Sequence, residues 1–200
     1  MRNKKTIKMV QMAILIAIIL LMAFTPIGFI RTGGLSIQLI MIPVMVGAMV
    51  LGPLAGAVCG FAFGLMSFIQ CFGLEPFGTV LLGINPFFTF LVCIPTRILA
   101  GYLGGLIFQL LKKVDKTNIF SFFIGGLSGA ILNTVLFMGT LMICFWNTEY
   151  IQSMNTANMK VLPFVVAFVG LNGLLEWPFT CIAGGIISKA VYKVVKKNEV

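Results

Sequence analysis

Arg97, Asn133, Asn172 and Glu176 are the residues of this 200-residue chain whose types and setting offer chemistry. Each sits inside a long apolar run, where a polar side chain is costly and calls for a partner or a task. An arginine presents five N–H donors in a planar fork that matches a carboxylate bidentately. Carboxamides supply both donors and acceptors to hydroxyls and amides, and a carboxylate supplies acceptors alone. This is a set for holding a small polar anion rather than for transforming one. The chain has no histidine, which excludes most zinc sites, and it lacks GxxxxGK[ST] and GxSxG motifs. Its five acidic residues form no obvious catalytic pair. No catalytic residue, metal or cofactor is expected, and the chain cannot hydrolyse ATP alone.

The elements that must carry these residues are membrane helices. The chain is 60% apolar with a mean hydropathy of +1.09, far from the balance of a water-soluble domain. No charge occurs from Met9 to Ile30, Thr32 to Leu74, Pro76 to Thr96 or Thr117 to Thr148. About 20 apolar residues cross a bilayer as a helix, so these runs predict spans, and the run from Thr32 to Leu74 must hold two. Gly52-Pro53 is the natural hinge between them. The expected fold is an all-α integral membrane protein: a single domain, 1–200, of six transmembrane helices at about 8–29, 36–51, 53–70, 86–111, 119–146 and 160–190. The second and third should form a tight hairpin. The basic start followed by an apolar run resembles a secretory signal, but the run is too long and no convincing cleavage site follows, so a retained helix is expected.

Lysine and arginine placement orients the bundle. Arg2, Lys4, Lys5 and Lys8, then Lys112, Lys113 and Lys116, then Lys189, Lys193, Lys196 and Lys197 fall on one side of a six-helix topology. The positive-inside rule makes that side, and both termini, cytoplasmic. The net charge of +9 is thereby explained by topology and anionic lipid, not by nucleic acid.

Counting inward from the lysines sets the depth of the polar residues. Arg97 precedes Lys112 by 15 residues, Asn133 follows Lys116 by 17, and Asn172 and Glu176 precede Lys189 by 17 and 13. At about 1.5 Å per residue all four fall roughly 20 to 25 Å above the cytoplasmic boundary, in one layer. Asn172 and Glu176, four apart, share a helical face. Two states of the layer are open. Arg97 pairs permanently with Glu176 as a structural device, or it clamps an anionic group of a solute entering from outside while Glu176 orients it or accepts from the ligand. Outer segments rich in glycine, proline and aromatics, IRTGGLSIQ and QCFGLEPFGTVLLGINP, suit closure over a ligand or plain connection. Trp146, Asn147 and Tyr150 extend that reading to a lid or, alternatively, to an interfacial belt.

Small residues direct packing. Gly52, Gly56, Gly60 and Gly64 recur every four residues, a stripe that lets another backbone approach closely. Ala13 and Ala17 repeat the spacing on the first helix, for packing or for docking a partner. The five cysteines, 59, 71, 93, 144 and 181, have no CxxC spacing and read as small apolar packing residues.

In order along the chain, the AxxxA of Ala13 and Ala17, the IPVMVGAMVLGPLAGAVCGFAFGLMSF hairpin, the IPTRILAGYLGGLIFQLLKK helix and polar GLNGLLEWP resemble the substrate-binding membrane subunits, or S components, of energy-coupling factor (ECF) vitamin transporters. The resemblance implies a subunit of the bacterial plasma membrane that captures a vitamin from outside with high affinity. It then docks on a shared module of a membrane coupling protein and two ATPases. By position, Ala13 and Ala17 become the docking face, and helices four to six with the outer loops become the vitamin site. The chain is most similar to the pantothenate type, with riboflavin or another vitamin as the alternative cargo. Pantothenate offers a carboxylate to Arg97, and an amide and hydroxyls to Asn133 and Asn172, whereas riboflavin is neutral and suits aromatic stacking. The main competing class is a stand-alone carrier driven by protonation of Glu176, and a second is a structural or assembly subunit without cargo.

Overall fold

The computed structural model of the chain describes residues 4–25, 28–32, 35–115 and 119–197. It is nearly all helical. α1 (Lys4–Phe24) leads into a two-stranded antiparallel hairpin, β1 (Phe29–Thr32) and β2 (Leu35–Gln38), paired from Phe29 against Gln38 to Thr32 against Leu35. Then follow α2 (Met41–Val50), α3 (Pro53–Gln70), α4 (Pro76–Ile84), α5 (Pro86–Cys93), α6 (Pro95–Val114), α7 (Phe120–Phe145), α8 (Glu149–Met154) and α9 (Val161–Lys197).

Among the described residues, five stretches are long and apolar enough to cross a bilayer: 5–24, 53–70, 86–114, 120–145 and 176–195. The expected span at 36–51 resolves differently, into β2 and the ten-residue α2. Ten residues rise about 15 Å, half of a hydrocarbon core. Every residue from Met41 to Met49 is buried, as befits a helix apolar on all sides, so α2 serves as an inner wedge of the bundle. Two connectors also hold more structure than their composition announced. The segment after α3 forms α4, and the segment after α7 forms α8.

Proline marks the start of four helices. Pro53, Pro76, Pro86 and Pro95 each occupy the first turn of α3, α4, α5 and α6, where the missing N–H would have been unsatisfied anyway. Side chains complete two of these starts. Glu75 accepts from the Gly78 amide at 2.5 Å, and Asn85 accepts from the Phe88 amide at 3.1 Å. The expected continuous helix 86–111 is therefore two, broken at Ile94. Pro95 cannot donate to the Leu91 carbonyl, and the ladder is interrupted two residues before Arg97.

The glycine stripe packs as backbone against backbone. A Cβ on Gly56 would meet the Gly101 carbonyl, one on Gly60 the Arg97 carbonyl, and one on Gly64 the Cys93 carbonyl at 2.8 Å. Positions 93, 97 and 101 are themselves four apart, so two helical faces register over two turns. Gly52 departs from the expected stripe. It turns the chain between α2 and α3 with φ 110°, and a Cβ there would approach only the Gln109 side chain, at 4.0 Å.

Candidate functional site

A cavity of about 1120 Å³ opens at one end of the bundle. The last turn of α1, Gln38 of β2, the C-terminal half of α3, α4, the α5–α6 break, the middle of α7 and the first half of α9 all contribute to its lining. Arg97, Asn133 and Glu176 line it together, as their common depth in the sequence anticipated. All three are buried, with exposures of 3%, 6% and 7%.

The guanidinium of Arg97 is positioned from several sides. Its Nη1 donates to the carbonyls of Val92 and Cys93, both at 3.2 Å, at the turn where Pro95 interrupts the helix. Thr96 Oγ1 adds a 2.5 Å bond to the same Val92 carbonyl. The Phe63 and Phe137 rings lie 4.7 and 4.9 Å from its Cζ, so the cation rests between two aromatic faces. Behind it, Gly60 lets α3 lie against its backbone. Nη1 is thus committed, while Nε has no hydrogen-bond partner among the described residues. The Nε side of the fork, from which a carboxylate can be met, therefore has an N–H to offer.

Glu176 does not use that edge. No nitrogen–oxygen pair of Arg97 and Glu176 lies within 4.0 Å among the described residues, and Glu176 Oε1 and Asn133 Oδ1 also lack hydrogen-bond partners there. A buried donor and two buried acceptors therefore surround one cavity without satisfying one another. Leaving such groups unmade costs about 1–3 kcal/mol each, more when charged, which a polar occupant would recover. Thr134, beside them, receives the Trp177 indole N–H at 3.4 Å and ties α9 to α7 at this depth.

Other expected site residues fall elsewhere. Trp146 does not line the cavity; its ring packs edge-on against Phe164 at 5.7 Å, in the apolar cluster under the end of α7. Asn147 is exposed and also outside the cavity. Both sit more than two helical turns beyond Met138, the last residue of α7 to line the chamber. Asn172 belongs to α9, but its side chain lies outside the described residues. Ala13 and Ala17 are exposed on α1, on the face opposite buried Ile19.

The cavity also draws on residues that depth-counting passed over, among them Phe63, Ser67, Gln70, Cys71, Glu75 and Cys93. Gln70 Nε2 donates to the Ala23 carbonyl at 2.5 Å and fastens the end of α1 to α3. Glu75 caps α4, and α4 in turn sets Phe77 against Tyr150 of α8 and Phe168 of α9, at 5.9 and 6.0 Å. The signals were present as a lone acid before a proline and as polar residues at the end of a glycine-rich span.

Residues 7–187 match the model of a family described as ECF transporter, substrate-specific component. A curated relative, the pantothenate transporter PanT of Leuconostoc mesenteroides subsp. mesenteroides, is 28% identical over 208 residues, covering 98% of this chain and 95% of the relative. Among solved structures, the S-component for biotin from an ECF-type ABC transporter matches with a TM-score of 0.61 at 19% identity, over 98% of this chain and 94% of that one. The latter likeness is one of fold.

Proposed function

The chain belongs to the family of ECF transporter substrate-specific components, and on that premise we propose that its cargo is pantothenate, held by its carboxylate on the Arg97 fork. A component of this family is a transport subunit of the cell membrane, not an enzyme. It binds a small vitamin and works with a module of a membrane coupling protein and ATPases, which supplies the ATP hydrolysis that this chain lacks.

The observation that carries the pantothenate reading is the unpartnered Nε of a buried arginine, lining the same chamber as the acceptors Asn133 Oδ1 and Glu176 Oε1, which have no partner among the described residues. Pantothenate brings one carboxylate for the fork. Its two hydroxyls and amide N–H are donors for the carboxamide and carboxylate oxygens. Biotin shares the carboxylate but has no hydroxyls, and riboflavin has no carboxylate. The full-length likeness to a pantothenate transporter supports the same choice.

The cavity faces outward in this reading. α1 runs from Lys5 and Lys8 to the cavity, and α6 and α9 run from the cavity to Lys112 and Lys193. Lys112 Nζ donates to the Tyr192 hydroxyl, which places these last two ends together. The lysine end is then cytoplasmic. The exposed face of α1 with Ala13 and Ala17 is left for the coupling protein, where small side chains allow close approach.

Calorimetric titration of the purified chain with pantothenate, biotin, riboflavin and panthenol, the alcohol that lacks the carboxylate, tests the reading. Pantothenate should bind at least about a hundredfold more tightly than panthenol, as expected for loss of a buried charge-assisted pair. Tighter binding of biotin or riboflavin, or equal binding of panthenol, would overturn it. Ala13→Trp and Ala17→Trp should leave that affinity intact while stopping uptake by the assembled transporter; unchanged uptake would remove the docking face.

A further inference from the structure

Two of the five cysteines are not apolar filler. Cys71 ends α3 and Cys93 ends α5, 22 residues apart in sequence, and their sulfurs meet at 3.9 Å in the wall of the cavity. Both side chains are buried in a small cluster with Ile94, against Phe68 and Leu82. Their placement is local and specific. Cys71 Sγ donates to the Ser67 carbonyl at 3.2 Å, and a Cβ at Gly78 would fall 2.5 Å from that sulfur, so the glycine makes room for it. Arg97 Nη1, bonded to the Cys93 carbonyl, puts a positive charge beside the pair, the setting in which thiols react. The remaining cysteines have no such thiol contact among the described residues. Cys59 is buried against Gly47, and Cys181 donates to the Phe123 carbonyl.

We propose that Cys71 and Cys93 are a redox-modification site: a dithiol whose disulfide staples the start of the α3–α4 connection to α5 at the wall of the chamber. Hydrogen peroxide, small and polar enough to enter the cavity, is the oxidant. Both S–H bonds break and one S–S bond forms. The two electrons and two protons released reduce one peroxide to two waters. Thiol–disulfide exchange with a small dithiol restores the pair. The consequence is mechanical. Cys71 is followed by exposed Phe72 and Leu74 and by Gly73, where an added Cβ would meet nothing within 4 Å, so this connection is held by its own turn hydrogen bonds and faces open space. A covalent tie across 22 residues removes much of its freedom. The proposal stands on the two sulfurs and does not depend on which vitamin the chamber takes.

The full chain in detergent, treated with hydrogen peroxide and then alkylated, tests it by peptide mapping and intact mass. Alkylatable thiols should fall from five to three, with the loss located at a 71–93 link that dithiothreitol reverses. Amide hydrogen exchange across 72–84 should slow on the order of tenfold in the linked form. Cys71→Ser and Cys93→Ser should each abolish the link and the slowing while the other thiols stay alkylatable. Oxidation of either thiol to sulfinic acid without a link overturns the proposal. So does a link to another cysteine, or a 71–93 link that leaves exchange unchanged. Mapping of the unmutated chain decides the matter alone if a serine variant does not fold.

Discussion

The floor and the mouth of the cavity are both built around glycines, yet they work by opposite means. At the floor, Gly60 and Gly64 matter for the space they leave, because α3 rests on the carbonyls of Arg97 and Cys93. At the mouth, Gly73 matters for its φ of 114°, and a Cβ there would touch nothing within 4 Å. The floor holds a guanidinium between two phenylalanine rings with one nitrogen bonded to the backbone. The mouth hangs a mostly exposed nine-residue helix, α4, between a glutamate cap and an asparagine shared with α5. Geometry is fixed where charge must be presented and looser where a ligand must pass. Substitutions at the floor should therefore cost affinity and stability together, whereas those at the mouth should cost little of either.

The largest effect is expected at Arg97. Arg97→Ala should weaken pantothenate by about a thousandfold, near 4 kcal/mol, since the carboxylate loses the one cation among the described lining residues. The protein should remain folded, because the close contact of α3 with α6 runs through Gly56, Gly60 and Gly64 and the α6 backbone, not through the Arg97 side chain. Arg97→Lys keeps a charge without the planar fork and should recover only part of the loss. Calorimetry paired with thermal melting reads both. Parent-like binding by the alanine variant would break the contrast at its root, because the floor would then be scaffold alone.

Gly60→Ala comes next. The added methyl meets the Arg97 carbonyl, a backbone atom that cannot rotate away, so α3 and α6 must separate. Overpacking of this kind costs about 1–3 kcal/mol, and the displaced guanidinium should lower affinity by about tenfold. A lower melting temperature with unaltered affinity would show that Arg97 is placed by its own carbonyl bonds and not by the helix behind it.

The same contrast explains what could be read in advance. That Arg97, Asn133 and Glu176 lie at one depth and line one cavity was readable by counting turns from lysines, since a helix is a ruler and a buried charge is conspicuous in an apolar run. α3 was legible from Gly52-Pro53 because a glycine stop beside a proline start has a direct conformational meaning. The mouth was not legible in this way. Thr32-Gly33-Gly34-Leu35 carries a two-residue hairpin signal, and Glu75-Pro76 and Asn85-Pro86 are helix starts, yet each lay in a stretch whose composition suggests a connector. The break at Ile94 was masked by apolar residues on both sides of Pro95. Trp146 and Asn147 do not line the cavity, because nearness to the membrane surface does not say which way a side chain turns. The meeting of Cys71 and Cys93 follows only from the α3–α5 packing, which no local pattern encodes.

At the mouth, Gly73→Ala should act through conformation alone. An alanine at this φ is strained by about 1 kcal/mol, but the space around it is open, so the segment can shift without disturbing a neighbour. Pantothenate affinity should change by less than about threefold, while hydrogen exchange near residue 73 rises. A fall in affinity as large as that of Gly60→Ala would mean that the mouth positions the ligand as strictly as the floor does.

The smallest effect, and the finest division between the two regions, is expected from Glu75→Gln. Glu75 lines the cavity and also caps α4 through the Gly78 amide, so its charge and its acceptor role are confounded. Glutamine keeps an oxygen for the cap and removes the charge near the helix N-terminus, a loss of about 0.3–1 kcal/mol. Tyr150 reports the change independently. Burial first, and the Glu75 carboxylate second, hold its phenol above the ordinary tyrosine value, so Glu75→Gln should let it ionise at lower pH without reaching that value. Absorbance titration of the phenols follows this, and calorimetry at neutral pH should show pantothenate affinity within about threefold of the parent. If removing the Glu75 charge instead moves affinity by more than about tenfold, in either direction, then the electrostatics of the chamber extend from Arg97 to its rim, and floor and mouth act as one binding surface.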